Sequence, residues 1–263
     1  MGNSTTETNN QGVTLRLSNV LRSFDGGVVA IEGLTLDIAA GEFLALLGPS
    51  GCGKSTLLRM IAALDQPTSG EIRAGSDSNA SRSAPRTAFV FQDAHLLPWR
   101  TVLANVALPL ELLGVSRNER HARAVEAIRT VGLTDAASLY PAQLSGGMRM
   151  RASLARALVT DPQLLLLDEL FAALDEITRQ QLDDQLRALW ARKRMTVLFV
   201  THSIIEAAFL AERAIVFSRR PARIMLDHPL ALPEARTPEL RTDPHFASEM
   251  RKLFDSLQRG EAS

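Results

Sequence analysis

The chain is poor in cysteine, aromatic residues and net charge. Cys52 is the only cysteine among 263 residues, so no disulfide can form within the chain, which suits a reducing compartment. Lysine plus arginine and aspartate plus glutamate number 29 each, so the formal net charge is zero. Because a general nucleic-acid binder needs a basic excess, this composition argues against that class.

Long apolar runs are also missing. The longest, such as LLLL at 164–167, fall far short of the roughly 18 apolar residues that a membrane span requires. Residues 1–12 are polar and lack the apolar core of a signal peptide, so we expect a disordered tail there. The length suits one large domain, or a domain with an appendage, that buries a substantial core.

Short apolar runs alternate with helical runs along most of the chain. Several of the apolar runs have no polar interruption, as in strands that are buried on both faces of a largely parallel sheet. The pattern predicts an α/β domain. We predict strands at 13–20, 34–38, 43–47, 87–91, 164–168, 196–200 and 213–217, and helices near 54–63, 176–193 and 203–211.

Two regions depart from this alternation. Residues from about 93 to 156 contain helical runs at 101–113 and 118–131 but no strand, which predicts a helical insertion. The region 229–263 begins with prolines and ends in an amphipathic stretch, so we separate it from a main domain at 13–228. On the face of that stretch we place Phe246, Met250, Leu253, Phe254 and Leu257, and we expect a polar loop at 76–86.

Residues 48–56 read GPSGCGKST and lie between a predicted strand and a predicted helix. The pattern G-x-x-x-x-G-K-[ST] in this setting predicts a phosphate-binding loop, in which glycines let the backbone approach phosphate oxygens. We expect Lys54 to reach the β- and γ-phosphates and Ser55 to ligate Mg²⁺; the alternative is a plain glycine-rich turn. The expected nucleotide contacts are Gly48, Pro49, Ser50, Gly51, Cys52, Gly53, Lys54, Ser55 and Thr56, with Cys52 read as a small filler residue.

Polar side chains follow three of the predicted strands. Asp168 and Glu169 end the run LLLLDE; an aspartate there holds Mg²⁺ in phosphate-loop proteins, and the next carboxylate can polarise the attacking water. Gln92 could contact Mg²⁺ and that water, and His202 could bond the γ-phosphate. Each alone is equally explained as ordinary strand-end or loop chemistry. Since ligands of open α/β sheets bind at the carboxyl edge, we expect these residues at one edge.

Six motifs in this order resemble the ATP-binding subunit of an ABC transporter, over about residues 13–228. The resemblance implies a P-loop NTPase fold, with a largely parallel sheet core, antiparallel N-terminal strands and a helical insertion. It implies ATP and Mg²⁺ as ligands, with Lys54, Gln92, Glu169 and His202 catalytic and Ser55, Gln92 and Asp168 at the metal. The motifs are GPSGCGKST (48–56), FQ (91–92), LSGG (144–147), LLLLDE (164–169), ALD (173–175) and TH (201–202).

The same resemblance implies a head-to-tail dimer of two copies. In that arrangement Ser145, Gly146 and Gly147, at the start of a helix, would bind the γ-phosphate that the partner copy holds. Asp175 would lie at the dimer seam. Phe24 would stack on adenine, although packing near a strand end explains it as well. For three arginines of the helix we expect a solvated face: Arg149, Arg151 and Arg156.

Three positions differ from the family pattern. Met148 stands where glutamine is usual, Leu170 replaces a proline, and Ser203 replaces an aspartate. None of these changes removes a phosphate or metal ligand. Met148 would weaken contacts to the ribose across the dimer, which predicts a lower turnover.

The closer resemblance is to the nitrate/sulfonate/taurine importer group, through FQDAHLLPWRTVLANVALPLELLGV, EAAFLAERAIVFSRRPARI and RTDPHFASEMRKLF. It implies import of taurine or an alkanesulfonate, with nitrate, bicarbonate or a pyrimidine-like nutrient as alternatives and a lipid-transport ABC subunit as the rival. The implied partners are transmembrane permease subunits and, indirectly, an extracytoplasmic substrate-binding protein, with no nucleic acid. The implied location is peripheral, at the cytoplasmic face of the inner membrane.

Rival classes of ABC protein fit less well. DNA-repair ATPases place long coiled coils between their two ATP motifs, but fewer than a hundred residues separate Lys54 from Ser145 and no sustained heptads occur. Translation-type factors carry two ATPase domains, and this chain carries one set of motifs. A non-hydrolysing regulator would not need Glu169 and His202.

Overall fold

The computed structural model describes residues 12–75, 85–171 and 174–262. The tail expected at 1–12 therefore lies almost entirely outside the described residues, as does most of the loop expected at 76–86. The strands are β1 (Leu15–Phe24), β2 (Val28–Ile38), β3 (Phe43–Leu47), β4 (Ser69–Ala74), β5 (Thr87–Val90), β6 (Leu164–Asp168), β7 (Thr196–Val200), β8 (Arg213–Phe217) and β9 (Ile224–Pro229). The helices are α1 (Lys54–Ile61), α2 (Val102–Leu112), α3 (Arg117–Thr130), α4 (Gly146–Leu158), α5 (Glu176–Lys193), α6 (Ile204–Leu210) and α7 (Pro244–Ala262).

A six-stranded sheet forms the centre of the fold, with strand order β5-β6-β7-β3-β8-β9. The pairs from β5 to β8 are all parallel, and β9 pairs antiparallel with β8. Every residue of β3, β6 and β7 is buried. The uninterrupted apolar runs therefore predicted the parallel part of this sheet correctly, because parallel strands covered on both faces need no polar side.

The sheet separates two hydrophobic cores, as the alternation along its central strands shows. In β3, Leu44 and Leu46 point into a core that they share with α1 and the N-terminal strands. Phe43, Ala45 and Leu47 of the same strand point into the larger core on the other face. Successive strand residues face opposite sides, so one short strand anchors both layers.

The N-terminal strands form a separate antiparallel sheet of order β2-β1-β4. Its apolar face packs on α1. The chain passes from β2 into β3 and then into the phosphate loop. Thr196 ties the two sheets together, because its hydroxyl accepts from the amides of Val13 and Gly41 at 2.9 and 3.0 Å. The predicted combination of a parallel core with antiparallel N-terminal strands is confirmed.

Helices α2, α3 and α4 fill the chain between β5 and β6, where the sequence predicted helices and no strand. Each begins at a side-chain cap: Thr101, Ser116 and Ser145 accept a hydrogen bond from the third residue of their helix. Such a cap contributes about 1 kcal/mol to helix stability. The last of these helices continues to Leu158, slightly beyond the expected boundary of the insertion.

The strands β4 and β9 and the first half of β2 were not predicted. The sequence SGEIRA of β4 has almost no buried side chain, and β9 is at most half-buried. The early part of β2 contains Gly33 with a φ of 63°, a conformation that interrupts strand periodicity. Pairing with a neighbouring strand, and not local pattern, determines these elements.

The amphipathic C-terminal stretch forms α7, as expected, but one of its five apolar residues points outward. Phe246 and Leu253 are buried, and Met250 and Leu257 pack against the larger core. Phe254 is 46 % exposed, because it lies one residue, or about 100°, beyond Leu253 on the helix. In the described part of the chain, no helix is long and apolar enough to cross a membrane.

Candidate functional site

The phosphate loop, residues 48–56, connects β3 to α1 as predicted. Lys54 is 5 % exposed, and its ammonium donates to the carbonyl oxygens of Gly48 at 2.7 Å and Pro49 at 2.9 Å. No side chain caps the start of α1, in contrast to the capped helices of the insertion. A lysine charge and a helix N-terminus without a side-chain cap therefore lie at one point of the loop, an arrangement that suits phosphate.

Two glycines of the phosphate loop have conformations that only glycine adopts readily. Gly53 has a φ of 127°, and a Cβ there would lie 2.9 Å from the backbone oxygen of Ala30 in β2. Gly48 has a φ of 156°, and its Cβ would meet Cys52 and Phe217 at 3.2 and 3.1 Å. The loop is thus pressed between β2 and β8, which fixes its backbone.

The remaining loop residues vary in exposure. Cys52 is 1 % exposed and packs in the smaller core, which agrees with its reading as a filler residue. Ser50 is exposed and Pro49 half-buried, while Ser55 and Thr56 lie half-buried in the first turn of α1. The loop therefore presents its backbone and its hydroxyls, with the thiol turned inward.

Asp168 ends β6 beside the first turn of α1. The Ser55 hydroxyl donates to its carboxylate at 2.9 Å, which joins the two predicted metal ligands. Burial raises the pKa of Asp168 above its usual range, and the Ser55 hydrogen bond opposes that rise. A nearby cation would stabilise the ionised form of this buried carboxylate. A carboxylate beside a hydroxyl supplies the hard oxygen ligands that fit Mg²⁺.

Three polar strand-end residues meet at the same edge of the sheet. The Gln92 amide donates to Glu169 Oε2 at 3.1 Å, and His202 Nε2 is hydrogen-bonded to the other oxygen, Glu169 Oε1. Glu169 has a φ of 51°, a left-handed conformation that is uncommon for a residue with a side chain. Residues 77 and 33 positions apart in sequence from Glu169 thus converge on one carboxylate.

The turn that carries His202 explains why Ser203 can replace an aspartate. Ser203 is the N-cap of α6, and its hydroxyl accepts from the Glu206 amide at 3.2 Å. Its own amide donates to the Thr201 hydroxyl at 3.0 Å, and that hydroxyl is also hydrogen-bonded to Glu206. Serine and aspartate are both favoured N-caps, so the exchange preserves the turn. At the second unusual position, Leu170 is fully buried in the larger core.

The signature segment, residues 144–147, starts α4 as the sequence predicted. The Ser145 hydroxyl accepts from the Met148 amide at 3.2 Å and so caps the helix. A Cβ on Gly147 would lie 2.5 Å from Leu174 Cδ2. Asp175 is exposed and caps α5, accepting from the Thr178 amide at 3.0 Å. Ala173 of the motif ALD lies outside the described residues.

The arginines of α4 do not form the solvated face that we expected. Arg156 donates to the carbonyl oxygens of Ala94 and His95, both at 2.8 Å, and Arg151 donates to that of Gly132 at 3.3 Å. Arg149 alone is exposed, and it bonds back to the signature segment through the Leu144 oxygen at 2.7 Å. The sequence carried no sign of these contacts, because their carbonyl acceptors belong to remote loops.

Phe24, the predicted adenine-stacking residue, ends β1 and pairs with Val28. Its ring is 40 % exposed, and the Arg22 guanidinium lies 4.7 Å from the ring centroid. The ring is thus exposed but already in contact with a cation, and its stacking on adenine stays a prediction. Sequence reasoning missed Arg220, which donates to the Gly51 oxygen at 2.6 Å from its terminal nitrogen and 3.1 Å from Nε. Arg220 therefore supports the outer turn of the phosphate loop.

Comparison with known proteins agrees with this geometry. The ABC transporter family model matches residues 31–172, which is more than half of the chain. An uncharacterized ABC transporter ATP-binding protein of Methanocaldococcus jannaschii is 41 % identical over 94 % of this chain and 92 % of its own length. An aliphatic sulfonates import ATP-binding protein of Pseudomonas putida is 44 % identical over 86 % of this chain and 81 % of its own length.

A solved structure of similar architecture is a dimeric ATP-binding cassette in a post-hydrolysis state, bound to ADP and Pi. It superposes with a TM-score of 0.74 at 34 % identity, over 83 % of this chain and all of the other. The chain belongs to the ABC transporter family. It is the transporter subunit that binds and hydrolyses ATP. Its relatives include the ATP-binding proteins of aliphatic sulfonate importers.

Proposed function

We propose that this chain is the ATPase that drives import of a small organic anion, a taurine- or alkanesulfonate-like compound, through a membrane permease. The observation that carries the proposal is the similarity to aliphatic sulfonates import ATP-binding proteins, which extends over most of the chain. The end-to-end resemblance to the importer group supports it, including the stretch after Gln92 and the C-terminal segment. Nitrate, bicarbonate and pyrimidine-like nutrients are the alternative cargoes, and a lipid-transport subunit is the rival.

In the proposed mechanism the phosphate loop holds ATP. Lys54 exchanges the carbonyls of Gly48 and Pro49 for phosphate oxygens, and the amides at the start of α1 bind the same groups. Phe24 stacks on the adenine. Ser55 and Asp168, with Gln92, hold Mg²⁺. The metal neutralises charge on the β- and γ-phosphates when bound.

Glu169 is the proposed general base. Gln92 and His202 occupy its two oxygens and thereby fix the orientation of the carboxylate. We assign to Glu169 the task of orienting and deprotonating the attacking water. When ATP binds, His202 would leave Glu169 Oε1 and donate its hydrogen bond to the γ-phosphate, which frees that oxygen to accept the proton. Positioning of this kind accounts for most of the catalysis in phosphoryl transfer.

A second copy completes the proposed site. The dimeric cassette to which this chain is similar supports a head-to-tail dimer of two copies. In it the signature segment of one copy, through Ser145, Gly146 and Gly147, faces the γ-phosphate held by the other. Ser145 and Asp175 are exposed, as residues at such a seam need to be.

The surface after Gln92 supports a permease contact. Trp99 is 71 % exposed, although the backbone around it is firmly held. The fully buried Asn105 fixes this turn: its amide donates to the oxygens of Leu97, Arg100 and Thr101 at 2.9–3.1 Å, and it accepts from the Leu97 amide at 2.7 Å. A rigidly presented tryptophan is a typical anchor for a protein partner. The chain would then act as a peripheral protein at the cytoplasmic face of the inner membrane.

The test is uptake of labelled taurine, a longer alkanesulfonate and nitrate in the source cell, with the chain intact or carrying Lys54→Ala. We expect one sulfonate uptake to disappear in the variant. Arg251→Ala, which removes an exposed cation of α7 that pairs with Asp255 of the same helix, is the control and leaves uptake intact. If all three uptakes persist with Lys54→Ala, the cargo assignment is wrong while the ATPase assignment stands.

The proposed permease contact around Leu97 and Trp99 has its own test. Changing both Leu97 and Trp99 to serine is expected to abolish transport while basal ATP hydrolysis continues, because neither residue contacts the strand-end carboxylates. Transport at the normal rate in this double variant would show that the permease binds elsewhere.

A further inference from the structure

A separate cavity of about 250 Å³ lies between α5, the start of β8 and the segment 230–236. None of its lining residues belongs to the phosphate loop, the signature segment or the strand-end group at Glu169. Three arginines and two glutamates line it: Arg187, Arg194, Arg236, Glu212 and Glu234. The function proposed above makes no use of this group.

The charges in this cavity are not paired evenly. Both carboxylates contact Arg194: Glu212 lies 3.8 Å away, and Glu234 is in direct contact. Within the described residues, Arg187 and Arg236 form no ion pair with a carboxylate. Their hydrogen bonds go to backbone carbonyl oxygens instead, and the three arginines exceed the two glutamates of the lining by one positive charge. The acceptors are Leu210 and Glu234 for Arg187, at 2.8 and 2.9 Å, and Ala211 and Pro233 for Arg236.

Burial makes this imbalance unfavourable. Arg187 is 3 % exposed, and the buried Nε atoms of Arg187 and Arg236 have no hydrogen-bond partner. Burial, followed by the charge of Arg236, lowers the pKa of Arg187 to about 10. Buried charges in proteins are normally paired, so a counter-charge at this position would relieve the repulsion between the guanidinium groups.

The geometry around Arg187 is also rigid. Its guanidinium stacks on the ring of Trp190 with 4.2 Å to the centroid, and Arg194 stacks on the same ring at 4.6 Å. Trp190 is fully buried, so the two cations are held in place before any ligand arrives. Arg236 is held by its hydrogen bonds to the Ala211 and Pro233 oxygens, so Arg187 and Arg236 are both fixed in place. Guanidinium groups match the oxygens of sulfate, phosphate or sulfonate, which accept two parallel hydrogen bonds from one fork.

We propose that this cavity binds a tetrahedral oxyanion between Arg187 and Arg236. The ligand is inorganic sulfate, inorganic phosphate or the head group of an organic sulfonate, which share this chemistry. The bound anion would join α5, which Asp175 caps, to the segment that leads into α7, and would hold the C-terminal segment on the ATPase core. This inference does not depend on which cargo the transporter carries.

The test is titration calorimetry on the full chain with sodium sulfate, sodium phosphate or sodium methanesulfonate, at constant ionic strength adjusted with sodium chloride. Saturating ADP with beryllium fluoride, which mimics the γ-phosphate, is present throughout, so that neither the phosphate loop nor the adjacent γ-phosphate position is open to the added anion. We expect saturable binding of one anion per chain. The strongest of the three ligands identifies the source, since only methanesulfonate carries a carbon substituent.

Two variants assign the binding to this cavity. Arg236→Gln and Arg187→Met are each expected to weaken the anion about 10- to 100-fold, the usual effect of losing a charge-assisted hydrogen bond. Arg187→Met keeps the aliphatic part of the side chain and removes the buried charge, and it leaves the Leu210 and Glu234 oxygens without this donor, so its folding is checked separately. Arg192→Gln, on the exposed face of the same helix, is the matched control and keeps the wild-type affinity.

Two results would overturn the proposal. One is the absence of saturable binding of any of the three anions by the ADP-loaded chain. The other is saturable binding that both cavity variants retain at wild-type affinity, which would locate the anion elsewhere. Because ADP binding and ATP hydrolysis are expected to be unchanged in both variants, they serve as the check on folding.

Discussion

The phosphate loop and the signature segment both place glycines at the start of a helix, but their surroundings differ. The phosphate loop is enclosed by other parts of the chain. Gly53 and Gly48 pack closely against β2 and β8, Arg220 donates to the Gly51 oxygen, and Lys54 is buried. Ser145 of the signature segment is exposed, and among the described residues its hydroxyl bonds only to the first turn of its own helix. The first site is built by its own chain, whereas the second presents a helix start to whatever approaches from outside.

This contrast teaches that glycine serves two purposes in one protein. In the phosphate loop the glycines allow a backbone path that other residues cannot follow, so the cost of replacing them appears in folding. In the signature segment Gly147 has no unusual φ. The atom nearest to a Cβ added at Gly147 is the end of the flexible Leu174 side chain. The cost of replacing Gly147 should therefore appear in activity and much less in folding.

The largest expected effect comes from Lys54→Ala. Loss of the only lysine ammonium in the loop is expected to weaken ATP binding and to lower turnover about 10²- to 10³-fold, because a positioned charge on the transferred phosphate is lost. Equilibrium dialysis with labelled ATP and a phosphate-release assay measure both. A variant that still hydrolyses ATP at the wild-type rate would contradict the role of this loop.

Gly147→Ala tests the outward-facing half. We expect ATP binding to remain and turnover to fall about 10- to 100-fold, since a displacement of about 1 Å at the reacting phosphate is sufficient for such a loss. The double variant Gly147→Ala with Leu174→Ala is the control, because Leu174 is the one close neighbour of the new methyl group among the described residues. If the second change restores turnover, the defect was internal crowding and not approach of a partner copy.

Gly53→Ala tests the other region of the comparison, the phosphate loop. The new Cβ would be 2.9 Å from a backbone oxygen at a φ of 127°, so we expect the free energy of unfolding to fall by about 1–3 kcal/mol. Urea denaturation of the nucleotide-free chain measures the change. Gly147→Ala serves as the reference, and an equal loss of stability in both variants would remove the distinction between the two regions.

The smallest expected effect is that of Met148→Gln. The Met148 side chain is half-buried, and its amide, not its side chain, bonds Ser145. Glutamine would add a polar group that can reach a ribose across the dimer, so turnover is expected to stay the same or to rise. A large fall in the steady-state ATPase rate would show that methionine is the better residue at this position.

The sequence predicted the parts of the fold that local chemistry determines. Strands β3, β6 and β7 are buried on both faces, so their apolar runs were unambiguous, and α5 lies over 176–193 as expected. In contrast, β4 has an exposed, polar sequence that is extended only because β1 pairs with it. No local pattern carries that information.

The candidate site divides in the same way. The phosphate loop and the strand-end residues follow from motif and topology, and the structure brings Gln92, Glu169 and His202 together. The contacts of Arg220 and Arg156 were not predicted, because each side chain bonds a backbone carbonyl more than 60 positions away. Any residue type could supply such an acceptor. Side chains that bind remote backbone leave no signature at the acceptor position.

The hydrogen bonds of Lys54 to its own loop make nucleotide binding an exchange reaction. An incoming anion must replace two carbonyl oxygens, at 2.7 and 2.9 Å, that already solvate the ammonium. A singly charged anion such as chloride offers little advantage over two aligned carbonyl dipoles. A polyphosphate offers several charges and engages the amides of α1 at the same time. The loop thus discriminates among anions by competition from its own backbone, which keeps it selective in a solution full of simple salts.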